Sequence, residues 1–188
     1  MHSPLSASRN VGRDPSRKPP PVRAASSGFS WFTAGPAPAG WLAMELPGGA
    51  AVLAYPPSAV PVQSDPGTVA AETAGTDGQP VLYLNATPQQ GSETPANWRS
   101  FRLAHLRGEH AAGATLDASA AGLAFRGGTG SCVLDDYVTR IGTHHYREIA
   151  CLVAGAHGGT VIVAATPADR WNSERGILEQ AVDSYDVL

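Results

Sequence analysis

The segment Ser131–Val153, which reads SCVLDDYVTRIGTHHYREIACLV, decides the fold because it places the two cysteines of the chain at the outer ends of one predicted β-hairpin. A two-residue turn at Ile141-Gly142 sets an antiparallel register in which Cys132 lies opposite Cys151. Cα atoms that face each other in such a ladder are about 4.5 to 5.5 Å apart, a separation that a disulfide can span. The register therefore predicts a Cys132–Cys151 disulfide, with two reduced buried cysteines as the alternative. The same register pairs Leu134 with Ile149, Asp136 with Arg147 and Tyr137 with Tyr146.

The composition predicts one ordinary globular domain, which we place at residues 29–188. The chain has 188 residues, of which 43% are hydrophobic and 15% are charged, enough to form one core without metals or several disulfides. Residues 1–23 carry five basic side chains and one acidic one, whereas the rest of the chain carries eight basic and fifteen acidic ones. The body is therefore mildly acidic and lacks the basic patch that a nucleic-acid-binding protein presents.

Residues 1–28 are predicted to be a disordered leader rich in serine, proline and arginine. Their large apolar side chains are too few to offset the entropy of ordering the segment. They also lack the apolar stretch of a secretion signal, and no part of the chain approaches the roughly 18 uninterrupted apolar residues of a membrane span. We therefore expect no integral membrane segment.

Turn residues divide the body into short strands and two helices. Val81–Thr87 (VLYLNAT) is typical of a strand, and Thr115–Ala118 and Gly122–Arg126 are predicted as two separate strands. Each helix is predicted to begin at a Thr-Pro pair, at Thr94-Pro95 and at Thr166-Pro167, with the threonine as N-cap. This pattern predicts an α+β fold, a mostly antiparallel β-sheet packed by two main helices.

Six short segments of the body are characteristic: AYPP (54–57), GT (67–68), LNATP (84–88), NW (97–98), GSCVLDDY (130–137) and YREIAC (146–151). Together they resemble a family of uncharacterised actinobacterial exported proteins, many of them lipoproteins. Its domain is similar to the PsbP-like α/β/α sandwich, which is also the architecture of LpqN-type lipoproteins. The resemblance covers about Trp41 to Tyr185, and it implies this fold, an extracytoplasmic location and a binding or assembly role without catalytic residues. No signal sequence or lipobox cysteine is visible, so a cytoplasmic location is the alternative.

One pair of residues on the predicted hairpin could carry chemistry. The register places Asp135 opposite Glu148, and two like charges on adjacent strands destabilise a sheet unless a proton, a cation or an arginine lies between them. His144 is predicted on the same face, so the three residues are candidate metal ligands or acid–base groups. Neutralisation by Arg126 or Arg140 is the alternative.

The sequence thus favours a non-catalytic cell-envelope binding or accessory protein that needs no cofactor, has a possible envelope protein as partner and does not bind nucleic acid. The alternative is a metal-binding protein or hydrolytic enzyme that uses the carboxylate and histidine cluster of the hairpin. An enzyme is the less favoured hypothesis because no nucleophile elbow, phosphate-binding loop or complete metal motif is present.

Overall fold

A computed structural model describes residues 28–109 and 111–188 of the chain. The predicted leader, residues 1–28, lies outside the described residues except for Gly28. Within the described ranges the chain forms ten β-strands and two α-helices. The strands are β1 Leu42–Glu45, β2 Ala51–Tyr55, β3 Val60–Val62, β4 Val69–Ala74, β5 Pro80–Pro88, β6 Ala111–Phe125, β7 Gly128–Thr139, β8 His145–Gly155, β9 Gly158–Pro167 and β10 Asp186–Val187, and the helices are α1 Trp98–Glu109 and α2 Trp171–Asp183.

Seven strands form one antiparallel sheet in the order β3-β4-β5-β9-β8-β7-β6. The strands β1, β2 and β10 form a second, three-stranded sheet. The predicted α+β class with a mostly antiparallel sheet and two main helices is therefore confirmed. Neither helix in the described ranges is long and apolar enough to cross a bilayer.

The alternating pattern of β5 shows how the main sheet is buried. Leu82, Leu84 and Ala86 are buried in the large core that also contains residues of α2 and β2. The intervening Tyr83, Asn85 and Thr87 are half-buried and point to the opposite face. Helix α1 covers part of that opposite face, where Trp98 packs with Val133, Ala150 and Leu152. The result is a layered α/β/α arrangement, with α2 on one face of the sheet and α1 on the other.

The β7–β8 hairpin has the predicted register. Cys132 pairs with Cys151, and the remaining predicted pairs follow along the ladder. A disulfide joins the two cysteines, whose Cα atoms are 4.0 Å apart and whose side chains are buried in the large core. Closing a loop with a sequence separation of 19 is expected to stabilise the fold by about 3 kcal/mol.

One prediction about the strands is wrong. The expected pair Thr115–Ala118 and Gly122–Arg126 is one long strand, β6, because Gly122 adopts a positive φ of 71° within a bulge between Ala120 and Leu123 and does not form a turn. The short strand β3 contains Pro61, a residue that is disfavoured in central strands. It lies at the edge of the sheet, where a missing backbone donor is tolerated.

The helices also begin differently from the prediction. Helix α1 begins at Trp98, three residues after Pro95, and follows a turn in which Asn97 donates its backbone N–H to the Thr94 hydroxyl over 3.2 Å. Before α2, the Thr166 hydroxyl donates to the Val81 carbonyl at 2.7 Å and caps no helix. In this case a contact with the neighbouring strand replaces the local cap.

Candidate functional site

The predicted carboxylate pair lies on the face of the sheet that α1 covers. Asp135 of β7 and Glu148 of β8 are directly opposed, and their exposures are 0% and 1%. Burial of two facing carboxylates is strongly unfavourable unless charge is compensated locally. Compensation must therefore come from the layer above the sheet.

Arg102 of α1 supplies this compensation. Its Nε donates to Glu148 Oε1 over 3.1 Å, its Nη2 donates to the same oxygen, and its Nε lies 3.9 Å from Asp135 Oδ2. The expectation that Arg126 or Arg140 neutralises the pair is wrong. Arg126 pairs with Asp186 at 2.8 Å, and Arg140 donates to the carbonyl of Arg107.

A proton supplies the second part of the compensation. As a carboxylate, Asp135 has no hydrogen-bond donor for either oxygen. Burial and the charge of Glu148 raise the pKa of Asp135 to about 9, although Arg102 acts in the opposite direction. A protonated Asp135 can donate to Glu148, so at neutral pH the cluster of Asp135, Glu148 and Arg102 carries no net charge. We call these three residues the buried triad.

His144 lies at the end of the hairpin, next to its turn. Its backbone N–H donates to the Thr139 hydroxyl over 2.9 Å, and its ring centroid lies 6.3 Å from that of Tyr146. Within residues 28–109 and 111–188, no three His, Cys, Asp or Glu side chains come together as a possible metal site. The structure therefore does not assemble Asp135, Glu148 and His144 into a metal-binding group.

A groove of about 330 Å³ opens beside α1, above the part of the sheet that the helix leaves uncovered. Arg102 and Glu148 of the buried triad line one side of it, and Asp65 lies among the lining residues of the loop before β4. The other lining residues are Thr68, Tyr83, Asn85, Thr87, Gln90, His105, Tyr137, Val161 and Val163.

Uncharged hydrogen-bonding groups form two linked sets within this groove. The Thr68 hydroxyl donates to the Thr87 hydroxyl over 3.2 Å, and the Gln90 amide donates to the same oxygen. Asn85 Nδ2 donates to the Tyr83 hydroxyl over 3.4 Å. Burial raises the pKa of Tyr83, so its phenol remains neutral and can both donate and accept hydrogen bonds. These hydroxyls and amides can therefore form hydrogen bonds with a ligand while they remain uncharged.

Sequence reasoning missed Arg102, although the helical pattern contains a signal for it. Arg102 follows the buried Trp98 by four residues and precedes the buried Leu106 by four, so all three share one helix face. An arginine within the apolar face of a helix indicates a carboxylate partner, since a buried charge is tolerated when it is paired. The groove was missed because its residues come from separate strands.

The opposite face of the same hairpin carries a second ionic cluster. Arg147 forms ion pairs with Asp117 and Asp136, and His145 Nε2 lies 3.2 Å from Asp136 Oδ1. The Arg147 guanidinium also lies 5.0 Å from the ring centroid of Trp171 in α2. We call Arg147, Asp117, Asp136 and His145 the outer cluster, because each of these side chains is partly exposed.

Comparison with known proteins gives a structural match but no sequence match. No protein-family model matches the chain, and no curated protein sequence matches it significantly. The solution structure of cyanobacterial PsbP (CyanoP) from Synechocystis sp. PCC 6803 superposes with a TM-score of 0.58 at 13% identity, covering 80% of this chain and 94% of that one.

Two further solved structures are more distant. A protein of unknown function from Pseudomonas aeruginosa, PA94, has a TM-score of 0.45 at 10% identity and covers 77% of this chain and 94% of its own. LpqN of Mycobacterium tuberculosis, described as involved in cell envelope biogenesis, has a TM-score of 0.41 at 12% identity and covers 81% and 80%. These lower scores do not establish a common fold. The match with CyanoP does, and this chain therefore has a PsbP-like fold.

Proposed function

We propose that this protein is a non-catalytic binding or accessory protein of the cell envelope. One observation carries the proposal: the facing carboxylates Asp135 and Glu148 are buried beneath α1, and the Arg102 guanidinium already donates to Glu148. A general acid or base has to exchange its proton with a substrate, and a metal ligand has to offer a free lone pair. In the buried triad, by contrast, Glu148 is already paired with Arg102, and both carboxylates are buried away from a substrate or a metal ion in solvent.

The disulfide supports the extracytoplasmic part of the proposal. Disulfides persist in oxidising compartments and are rare in reducing ones, and Cys132–Cys151 is buried in the core. The resemblance of the hairpin to exported actinobacterial proteins agrees with that location. Intact-mass measurement of alkylated protein isolated from its native compartment should show no free thiol. Two alkylated cysteines would contradict the proposed location.

A metal titration tests the non-catalytic part. Calorimetry with zinc, manganese and calcium is expected to show no stoichiometric binding by the wild-type protein, because a cation at Asp135 and Glu148 would have to displace Arg102 and a proton. Variants Asp135→Asn and Glu148→Gln should behave like the wild type, with Asp136→Asn of the outer cluster as the matched control. Micromolar binding that the first two substitutions abolish and the control retains would replace this proposal with a metal-binding function.

Crosslinking in the native cell envelope tests the binding role directly. We expect one or a few partners to be recovered reproducibly with the wild-type chain. Failure to recover any specific partner would count against an accessory role.

A further inference from the structure

We infer that the groove beside α1 is the partner-binding surface, and that its occupant is an extended peptide segment of a partner protein, uncharged apart from a basic side chain placed near Asp65. This inference rests on the proposed binding function and adds the location of the surface and the chemistry of the partner.

The sheet beneath the groove explains why side chains must do the binding. Strands β5, β9 and β8 are interior strands of the main sheet, each hydrogen-bonded to a neighbour on both sides. Their backbone groups are therefore already paired, and an incoming peptide cannot add a strand at this position. Recognition has to come from groups that project from the face of the sheet.

The projecting groups suit a peptide backbone. Asn85 and Gln90 carry an amide donor and acceptor, the Tyr83 hydroxyl can donate, and the Thr68 hydroxyl can accept. The Thr87 hydroxyl donates to the Pro88 carbonyl and accepts from Thr68 and Gln90, so it orders the other groups and does not bind the peptide itself. A peptide likewise presents one N–H and one C=O at most residues, which need both kinds of partner. Threonine, asparagine and tyrosine side chains thus offer adaptable hydrogen bonds, and tyrosine adds rigid contact area, as in protein-binding surfaces generally.

The charges of the groove select against an acidic occupant. Arg102 and Glu148 neutralise each other. Because Asp65 is also part of the lining and is exposed, the three side chains together carry a net charge of −1. A basic side chain at that end gains a favourable contact, whereas an acidic one is repelled. The half-buried Val163 provides an apolar contact for a small side chain of the peptide.

A random heptapeptide display selection against the full chain tests this inference. We expect the selected peptides to be poor in aspartate and glutamate and to carry a lysine or arginine. Their synthetic versions should bind with affinities weakened about tenfold by Tyr83→Phe, since that substitution keeps the ring and removes a hydroxyl that is free to donate. Tyr146→Phe on β8 is the matched control, because Tyr146 is a half-buried strand tyrosine outside the groove lining, and it should leave affinity unchanged.

Charge reversal sharpens the test. Asp65→Lys should weaken the basic peptides about fivefold and should favour acidic peptides in a repeated selection. Backbone amide shift mapping of the full chain with a selected peptide should place the changes on β5, β9 and the loop before β4.

Three results would overturn the inference: acidic peptides dominating the wild-type selection, affinities that Tyr83→Phe and Tyr146→Phe alter equally, or peptide-induced shifts that lie outside the groove. If these occur while native crosslinking still recovers a partner, the groove assignment fails and the binding function stands. If calorimetry instead reveals a metal at Asp135 and Glu148, the proposed function itself fails.

Discussion

The two faces of the β7–β8 hairpin carry similar charged groups, but those on one face are buried and those on the other are partly exposed to solvent. The buried triad joins one arginine to two carboxylates whose side chains are 0% and 2% exposed. The outer cluster also joins one arginine to two carboxylates, but these are 38% and 17% exposed. The difference teaches that burial, more than residue type, determines whether an ionic group must be fully compensated or remains a solvated surface feature.

The cover on each face has a different origin. Helix α1 packs against the sheet through Trp98, whose indole N–H donates to the Ala150 carbonyl over 2.9 Å, and it carries Arg102 onto the buried triad. On the other face Arg147 lies near the Trp171 ring and is itself partly exposed. Water can therefore screen the charges of the outer cluster, while those of the triad interact in a low-dielectric environment.

The largest expected effect comes from Arg102→Met, which removes the countercharge of the triad and retains much of the apolar volume. We expect a loss of about 3 to 5 kcal/mol in the free energy of unfolding at neutral pH, because Glu148 is left buried and unpaired. Urea denaturation measures the change.

A compensating variant makes this prediction specific. Adding Asp135→Asn and Glu148→Gln to Arg102→Met removes the unpaired charges, so most of the lost stability should return. A triple variant as unstable as Arg102→Met alone would show that packing by Arg102, and not its charge, stabilises the site.

An intermediate effect is expected from Asp135→Asn, and it depends on pH. The folded pKa of Asp135 is raised to about 9 from its ordinary value near 3.8, so between these values the folded state holds a proton that the unfolded state has released. The wild type should therefore lose stability as pH rises through this window, by about 1.4 kcal/mol per pH unit at most, and level off above pH 9.

The asparagine variant cannot release this proton, so its stability should fall less steeply than that of the wild type. Urea denaturation at a series of pH values from 5 to about 9 compares the two slopes. Asp136→Asn of the outer cluster is the control and should alter the slope less, because burial raises the pKa of Asp136 in a more exposed setting where Arg147 opposes the shift. Parallel profiles for the wild type and Asp135→Asn would rule out a protonated Asp135.

The smallest effect is expected from Arg147→Met in the outer cluster. A partly exposed ion pair contributes about 1 kcal/mol or less, and the methionine preserves apolar contact with Trp171. The remaining effect should shrink in high salt, since screening weakens exposed pairs more than buried ones. A loss as large as that of Arg102→Met would remove the distinction between the two clusters.

The hairpin was predictable because its information is local. Centring the hairpin on Ile141-Gly142 sets the register of Cys132 with Cys151 and of Asp135 with Glu148, which is confirmed. The connection itself spans residues 140–144 and is longer than the predicted two-residue turn. The alternation of Val81–Thr87 likewise indicates a strand with one apolar face. Local signals failed where a distant group intervened, as when Thr166 bonded to Val81 and capped no helix.

The sequence by itself determined the α+β class, the hairpin register, the cysteine pairing and the presence of a carboxylate pair that needs compensation. Only the tertiary structure decided that Arg102 compensates it, that His144 does not join it, and that residues of the loop before β4, of β5, β7, β8 and β9 and of α1 form one groove. The physical reason is range: turns and strand alternation act between near neighbours, whereas desolvation and ion pairing depend on which distant segments the packed core brings together.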